Sequence, residues 1–452
     1  MSGQFRQWTH RHVTCYAWGM DTALAARYCN RDQIALWTTT HRQLLERQRW
    51  YALLTRQRDL GFPIDQDDLD AYLKTIDNVT PELVAQHETE TRHETLAHLR
   101  AWNTLAGREK LHLGLTSADI GTWVDRKLIT EARTLLDHRL EHLVNRLADH
   151  AEALRDTPTP GYTHNQPAQP TTIGRRYAGW AEQLTWLWTQ RPGVLPYRPA
   201  SGAVGTRSDL LAYLDPADGG NHHEMASAKL DLLEQLPHQL HAPAQTYPHA
   251  LELPLYHHYL AVSRVVASIG VTHRLAAGRR HYAETAAEGQ RGSSAMSHKN
   301  NPRYNEQLHS HAITLAGYIT MATQAAGETW YEGDVTHSAT RRVYLPGIHL
   351  ALDALYNTLH HVLDIGQWYP GVNKLAVQGH PEMSSGRWVA ALVRDGVGRE
   401  DAYEATRRLD LNPPDDLPGW PHGDAGRQTD QVVRAVRATT QRWDQLAWRV
   451  PN

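Results

Sequence analysis

The chain has 452 residues, 41% of them hydrophobic, which is ample for a large interior but too much for one compact core, so two or three domains are expected. Its 46 basic and 49 acidic residues leave a net charge of −3, giving no global field for nucleic acid or an anionic membrane, so an anionic ligand must be held by a local cluster. Cys15 and Cys29 imply no disulfide framework, MSGQFRQWTHRH has no apolar leader core, and the most apolar run, Leu260 to Val271, is broken by Arg264, so a cytoplasmic address is expected.

In chain order, the first candidate metal motif is HETLAH, His93 to His98. Its histidines are five apart rather than four, so one helix cannot turn both toward one metal. The neighbouring pairs His222/His223, His257/His258 and His360/His361 point in different directions on a helix. No zinc-type Cys/His cluster, phosphate-cradling glycine loop or dinucleotide fingerprint is present. The first polar motif is LHLGLTSAD, with His112, Thr116, Ser117 and Asp119. Taken alone it is either an anion site at a helix start or a plain Thr/Ser cap.

From Thr122 to Thr157 there is no Gly or Pro, and Leu128, Ala132, Leu135, Leu136, Leu140, Leu143, Leu147, Ala151 and Leu154 recur at three- and four-residue steps. The spacing predicts a helix roughly 50 Å long, which needs long neighbours to pack against. Such neighbours are expected at about 174–191, 250–288, 302–328 and 340–366, separated by Gly/Pro-rich connections. The second motif, GYTHNQPAQPTTIG, places Thr163 and His164 in a Pro-rich turn, where a histidine is either a rigidly held proton donor or an ordinary surface residue. The third, GSSAMSHKNNPRYNE, combines a serine pair with Lys299, Asn301 and Glu306, as an anion-binding loop or a polar turn would. LNPPDDLPGWPHGDAGR, Leu411 to Arg427, reads as an exposed loop of a smaller C-terminal part.

In order and spacing, LGLTSAD, THNQPAQPTT and GSSAMSHKNNP together resemble the three characteristic regions of the fumarase/aspartase superfamily, and the resemblance covers nearly the whole chain. Within it, LAARYCNRDQIALW, TRHETLAHLRAWN, AQTYPH and YEGDVTHSATRRVYLP are similar to segments of the adenylosuccinate lyase family. The resemblance implies an all-α fold of three helical domains, 1–118, 119–366 and 367–452, the central one a long-helix bundle shared in a homotetramer whose sites draw on several chains. It implies release of fumarate from a succinylated purine ribotide, adenylosuccinate or the carboxamide ribotide SAICAR, without metal or organic cofactor.

By the same resemblance, Ser293 is the base, His164 the acid, Glu306 the carboxylate that orients it, and Lys299, with the loop's N–H groups, the cation that stabilises the serine alkoxide. Thr116, Ser117, Thr163, Lys299 and Asn301 would hold the succinyl carboxylates, with Gln245 nearby; Arg27, Tyr28, Ser338 and Arg342 the phosphate; His93, with Glu94 beside it, the purine and ribose side; His112 belongs to the binding set. Ser297 stands where the family has proline, Asn300 where it often has Arg or Met, Glu94 where Asp is common, and Gly333 where many members have arginine. These departures leave room for a lyase of the same mechanism specialised for a modified nucleotide. A non-catalytic paralogue is a third class of reading, disfavoured by the presence together of Ser293, His164, Lys299 and Glu306.

Overall fold

The computed structural model describes residues 22–214, 221–236, 238–285, 296, 298–327, 329–407 and 422–446. Helices α1 (Ala23–Tyr28), α2 (Arg31–Leu36), α3 (Thr39–Leu60), α4 (Gln66–Thr75), α5 (Pro81–Thr91) and α6 (Glu94–Ala106) precede the 37-residue α7 (Ser117–Ala153). A hairpin of β1 (Pro158–Thr163) and β2 (Gln166–Thr172) leads into α8 (Ile173–Thr189), α9 (Ser208–Leu214), α10 (Asn221–Leu230) and α11 (Leu253–Gly278). Then come β3 (Tyr282–Glu284), α12 (Arg303–Ala325), α13 (Ser338–Ile365), β4 (Gly366–Trp368), α14 (Pro370–Gln378), α15 (Ser385–Arg394), α16 (Arg399–Thr406) and α17 (Ala425–Leu446). The all-α class expected from the sequence is the one observed, with four short strands added. No helix among the described residues is long and apolar enough to cross a membrane.

Two compact units form. The first takes described residues within 1–133, 194–251 and 322–350. Its elements are opened by local caps: Thr38 accepts from the His41 N–H before α3, Asp65 and Asp68 form a reciprocal capping box on α4, and Thr80 with Pro81 starts α5. Trp50, Leu53, Leu54, Tyr72 and Trp102 make its fully buried centre. The Tyr72 hydroxyl lies 2.7 Å from the Asn103 side-chain oxygen and accepts from the Lys110 N–H at 3.0 Å, which satisfies the one polar atom that this ring carries inward.

The second unit takes described residues within 134–193, 252–321 and 351–446. The predicted stripe on α7 is buried here at Leu136, Leu140, Leu143, Leu147 and Ala151. Helices α11 and α12 approach closely because residue 270 is glycine: a Cβ there would lie 2.6 Å from the Asn305 carbonyl oxygen. The helix expected over 250–288 stops at Gly278, and the chain turns through Arg280 at φ +59° to pair β3 antiparallel with β4, Tyr282 opposite Trp368. The helix expected over 302–328 is α12 and that over 340–366 is α13.

Candidate functional site

In the first unit, the LHLGLTSAD motif is held by one buried carboxylate. Asp119 accepts from the Thr116 N–H at 2.8 Å, the Ser201 N–H at 2.8 Å and the Gly202 N–H at 3.2 Å, and pairs with the fully buried Arg198. Arg198 also donates to the Ala244 carbonyl at 2.7 Å. One ion pair therefore fixes the start of α7 against the 198–202 connection and the AQTYPH segment. Removing one partner of such a pair leaves a buried charge uncompensated, at a cost of about 3–5 kcal/mol.

Three candidates lie on this support. Ser117 is exposed and Thr116 half-buried, its hydroxyl accepting from the Gln245 amide at 3.4 Å. His112 sits in the left-handed region at φ +69°, and its Nδ1 accepts from the Trp50 indole at 3.1 Å. An indole N–H only donates, so Nδ1 carries the lone pair and the ring proton of neutral His112 resides on Nε2. Burial holds the ring below the ordinary histidine pKa, outweighing Asp119, so at neutral pH it is an uncharged donor. Gly333 meets the same segment: a Cβ would lie 2.6 Å from Gln245 Oε1 and 2.9 Å from its Cβ, while the Thr246 N–H donates to the Glu332 carbonyl at 3.1 Å. The Gln245 amide thus occupies the space that a side chain at 333 would need.

The nucleotide-end candidates belong to this unit as well. Arg342, in the second turn of α13, donates to Glu94 at 2.6 Å, although the two lie 248 positions apart. Both side chains are exposed, 70% and 43%. His93 caps α6, its Nδ1 accepting from the Leu96 N–H at 3.4 Å, and Ser338 opens α13. Beneath Arg342, the buried Arg341 donates to Asp125 at 2.6 Å, and Arg42 donates to the other oxygen of the same carboxylate at 2.7 Å. Arg27 and Tyr28 end α1, and Cys29 just beyond donates to the Leu350 carbonyl of α13 at 3.2 Å, which ties that end of α1 to α13. Arg27 is exposed.

In the second unit, the expected Pro-rich turn is instead a two-residue hairpin. Thr163 pairs with Gln166, and His164 and Asn165 between them have φ +50° and +63°. Prolines are tolerated because both strands of a two-stranded sheet are edges. Successive positive φ values are those of the tight turn whose twist suits a hairpin. Thr163, His164 and Asn165 are exposed at the tip, which Arg279 braces by donating to the Asn165 side chain and lying 4.3 Å over the Tyr162 ring. Ser293, the expected base, lies outside the described residues, as does Ser297. Lys299 and Glu306 are exposed and Asn301 half-buried. Among the described residues, no side-chain hydrogen bond or ion pair joins His164, Lys299 and Glu306, so the expected contact between Glu306 and His164 is not made within this unit.

Residues 57–205 match a protein family described as "Lyase". Over 399 residues the chain is 28% identical to the adenylosuccinate lyase of Saccharomyces cerevisiae, covering 86% of this chain and 82% of that one. Over 404 residues it is 28% identical to that of Schizosaccharomyces pombe, with the same shares covered. Its fold superposes on the 3-carboxy-cis,cis-muconate lactonizing enzyme of Pseudomonas putida with a TM-score of 0.76 at 18% identity, covering 92% of this chain and 99% of that one. A fumarate lyase from Mesorhizobium sp. BNC1 gives 0.68 at 20% identity, with 90% and 98% covered. This chain is a lyase with the fumarase/aspartase fold.

In this lyase, Arg198, Asp125 and Arg341 are supporting residues that the sequence does not announce, and Asp119 is a fourth. Asp119 was visible only as part of a motif. Arg198 stands 79 positions from its partner with no local pattern to announce the pairing. A lone arginine in YRPASGAVGT reads as surface charge until its burial is seen. Among the described residues no group of three or more His, Cys, Asp or Glu is arranged to hold a metal ion.

Proposed function

We propose that this lyase eliminates fumarate from adenylosuccinate to give AMP, and from SAICAR to give AICAR. The observation that carries the reading is the Glu94–Arg342 contact: two segments 248 positions apart, each singled out for the nucleotide end, meet in one unit. The likeness to two yeast adenylosuccinate lyases supports the substrate class.

The reaction breaks one C–N bond and forms one C=C bond. Ser293, as its alkoxide, takes a proton from the carbon beside one succinyl carboxylate, and the electron pair left behind is delocalised into that carboxylate. The pair then forms the double bond as C–N breaks, and His164 supplies the proton that the departing nitrogen needs, with Glu306 orienting its ring. Lys299 stabilises the alkoxide. Thr116, Ser117, Thr163, Asn301 and Gln245 hold the carboxylates, with the neutral His112 as a further donor. Arg27, Tyr28, Ser338 and Arg342 hold the phosphate, since paired arginines suit a dianion, and His93 and Glu94 face the purine and ribose. The three-domain division, a cytoplasmic address and a homotetramer sharing its sites belong to the same reading. Exposed His164, Lys299 and Glu306 without contacts to one another in one chain are what a site completed by other chains requires.

A second reading, a lyase of the same mechanism acting on a modified succinylamino nucleotide, is favoured by two observations. Glu94 already neutralises Arg342, and Gln245 fills the space beside Gly333, so the nucleotide end offers less free positive charge than a phosphate dianion invites. Absorbance assays of fumarate release with adenylosuccinate and SAICAR in parallel decide between them. Turnover of either supports the first reading; folded protein inactive on both supports the second.

A further inference from the structure

Helix α12 begins at Arg303, directly after Pro302, whose carbonyl accepts from the Glu306 N–H at 3.1 Å. Pro302 is therefore the cap position, and proline has no side-chain oxygen with which to satisfy the first N–H groups of the helix. The acceptor comes from elsewhere. Glu284, at the end of β3, accepts from the Tyr304 N–H at 3.2 Å, the Asn305 N–H at 2.9 Å and the Asn305 side-chain amide at 2.8 Å. Its own carbonyl accepts from the Asn300 amide at 2.7 Å, so residues 300–305 wrap around Glu284 on both sides. The carboxylate is buried, and removal from water pushes its pKa up against the opposing effect of these hydrogen bonds.

The network continues inward with a single sense. Trp368 can only donate, and its indole N–H goes to the Tyr177 oxygen at 3.1 Å. At the other end the Asn305 amide nitrogen donates to Glu284, which turns Asn305 Oδ1 to His273 Nδ1, so the neutral ring carries its proton on Nδ1 and its Nε2 accepts from the Tyr177 hydroxyl at 3.2 Å. His273 Nδ1 then donates to Asn305 Oδ1 at 2.9 Å, which leaves the Asn305 amide hydrogens for Glu284 and Tyr282. Burial holds His273 down at about 3, so the ring stays neutral as this chain of donors needs. Every member has a partner, and a fully satisfied buried network fixes one geometry.

We propose that Glu284 is a positioning residue of the elimination: by capping α12 in place of Pro302, it sets the register in which Asn301 and Glu306 are presented. This rests on the reading that Asn301 and Glu306 serve that reaction. Glu284 does not touch substrate; it acts through the first turn of α12. The decisive variant is Glu284→Gln, which keeps the volume but turns a donor toward the N–H of either Tyr304 or Asn305, since the two are held by different carboxylate oxygens. Displacing an acting group by a fraction of an ångström to an ångström lowers kcat by roughly 10- to 100-fold, with KM moving less than about threefold.

Amide exchange should quicken over residues 303–306 and remain slow in the middle of α11. Glu284→Asp, which restores the charge one methylene short, should recover part of kcat. Quickened exchange over 303–306 with kcat within about twofold of wild type overturns the proposal. Should Glu284→Gln not fold, Glu284→Asp alone decides, and quickened exchange over 303–306 with an unchanged kcat in that variant overturns it equally. Fumarate release from adenylosuccinate is the activity readout. Full activity of Glu306→Gln would instead refute the underlying reading, which separates the two failures.

Discussion

Replacing Arg342 tests the proposed nucleotide end most sharply, because the structure shows the partner that a phosphate would displace. Its guanidinium is paired with Glu94, and both groups are well exposed. An exposed ion pair contributes about 0–1 kcal/mol, so giving it up for a ligand costs little. Charge-assisted hydrogen bonds to a phosphate are worth about 1.5–3 kcal/mol, so Arg342→Ala should weaken AMP roughly 10- to 150-fold and adenosine hardly at all. Glu94→Gln frees Arg342 from its competitor and should tighten AMP by at most about fivefold, the equivalent of the same 0–1 kcal/mol. Calorimetric titration of both variants with both ligands measures this. Equal weakening of AMP and adenosine by Arg342→Ala would mean that the arginine supports another part of the ligand or the fold. A wild-type protein that prefers adenosine would overturn the phosphate assignment and give the lead to the modified-nucleotide reading.

Ser293→Ala should lower turnover by at least ~10²-fold with binding largely kept, as loss of a general base does; a crippled Ser294→Ala beside an active Ser293→Ala would move the assignment within the pair. Inactive His164→Ala and Ser293→Ala chains, mixed after mild dissociation, should regain part of the wild-type activity, and verified mixed oligomers without activity would argue for a complete site in each chain. The buried His273 gives a pH prediction. Its folded pKa of about 3 lies below the ordinary histidine value near 6.5, so in that window the unfolded chain binds the extra proton, and stability falls as pH falls, by about 1.4 kcal/mol per pH unit from this group. Denaturation from pH 7 to 5 should show a shallower decline in His273→Gln than in wild type, and identical slopes would refute this.

The long helices were legible because a stripe at three- and four-residue steps is written into the sequence from Leu128 to Leu154, and burial of Leu136, Leu140, Leu143 and Leu147 follows it. The hairpin at 158–172 was not. Four prolines argue against a strand unless both strands are edges, and His-Asn at the tip is a weak signal where Asn-Gly would be a strong one. The stop at Gly278 was missed for a similar reason: the three-residue strand that follows is specified by its partner β4, more than 80 positions later, and not by its own composition.

The site divides along the same line. Exposed candidates were readable because hydroxyls, amides and charges crowd into connections where neither core nor ordinary surface explains them. Their supports were not readable, since Asp119, Asp125 and Glu284 look like surface acids in sequence. Each is a buried carboxylate tied to backbone or arginine beside an exposed candidate: Asp119 next to Thr116 and Ser117, Asp125 under the Arg341 that precedes Arg342, Glu284 at the turn bearing Glu306. Burying a carboxylate is costly unless several donors converge on it, and donors that converge also fix the local backbone. The two sets therefore answer differently to substitution. On the proposed function, loss of an exposed candidate should remove an interaction with ligand and leave the fold, whereas loss of a buried acid should strand its donors and move every group on the turn that it held.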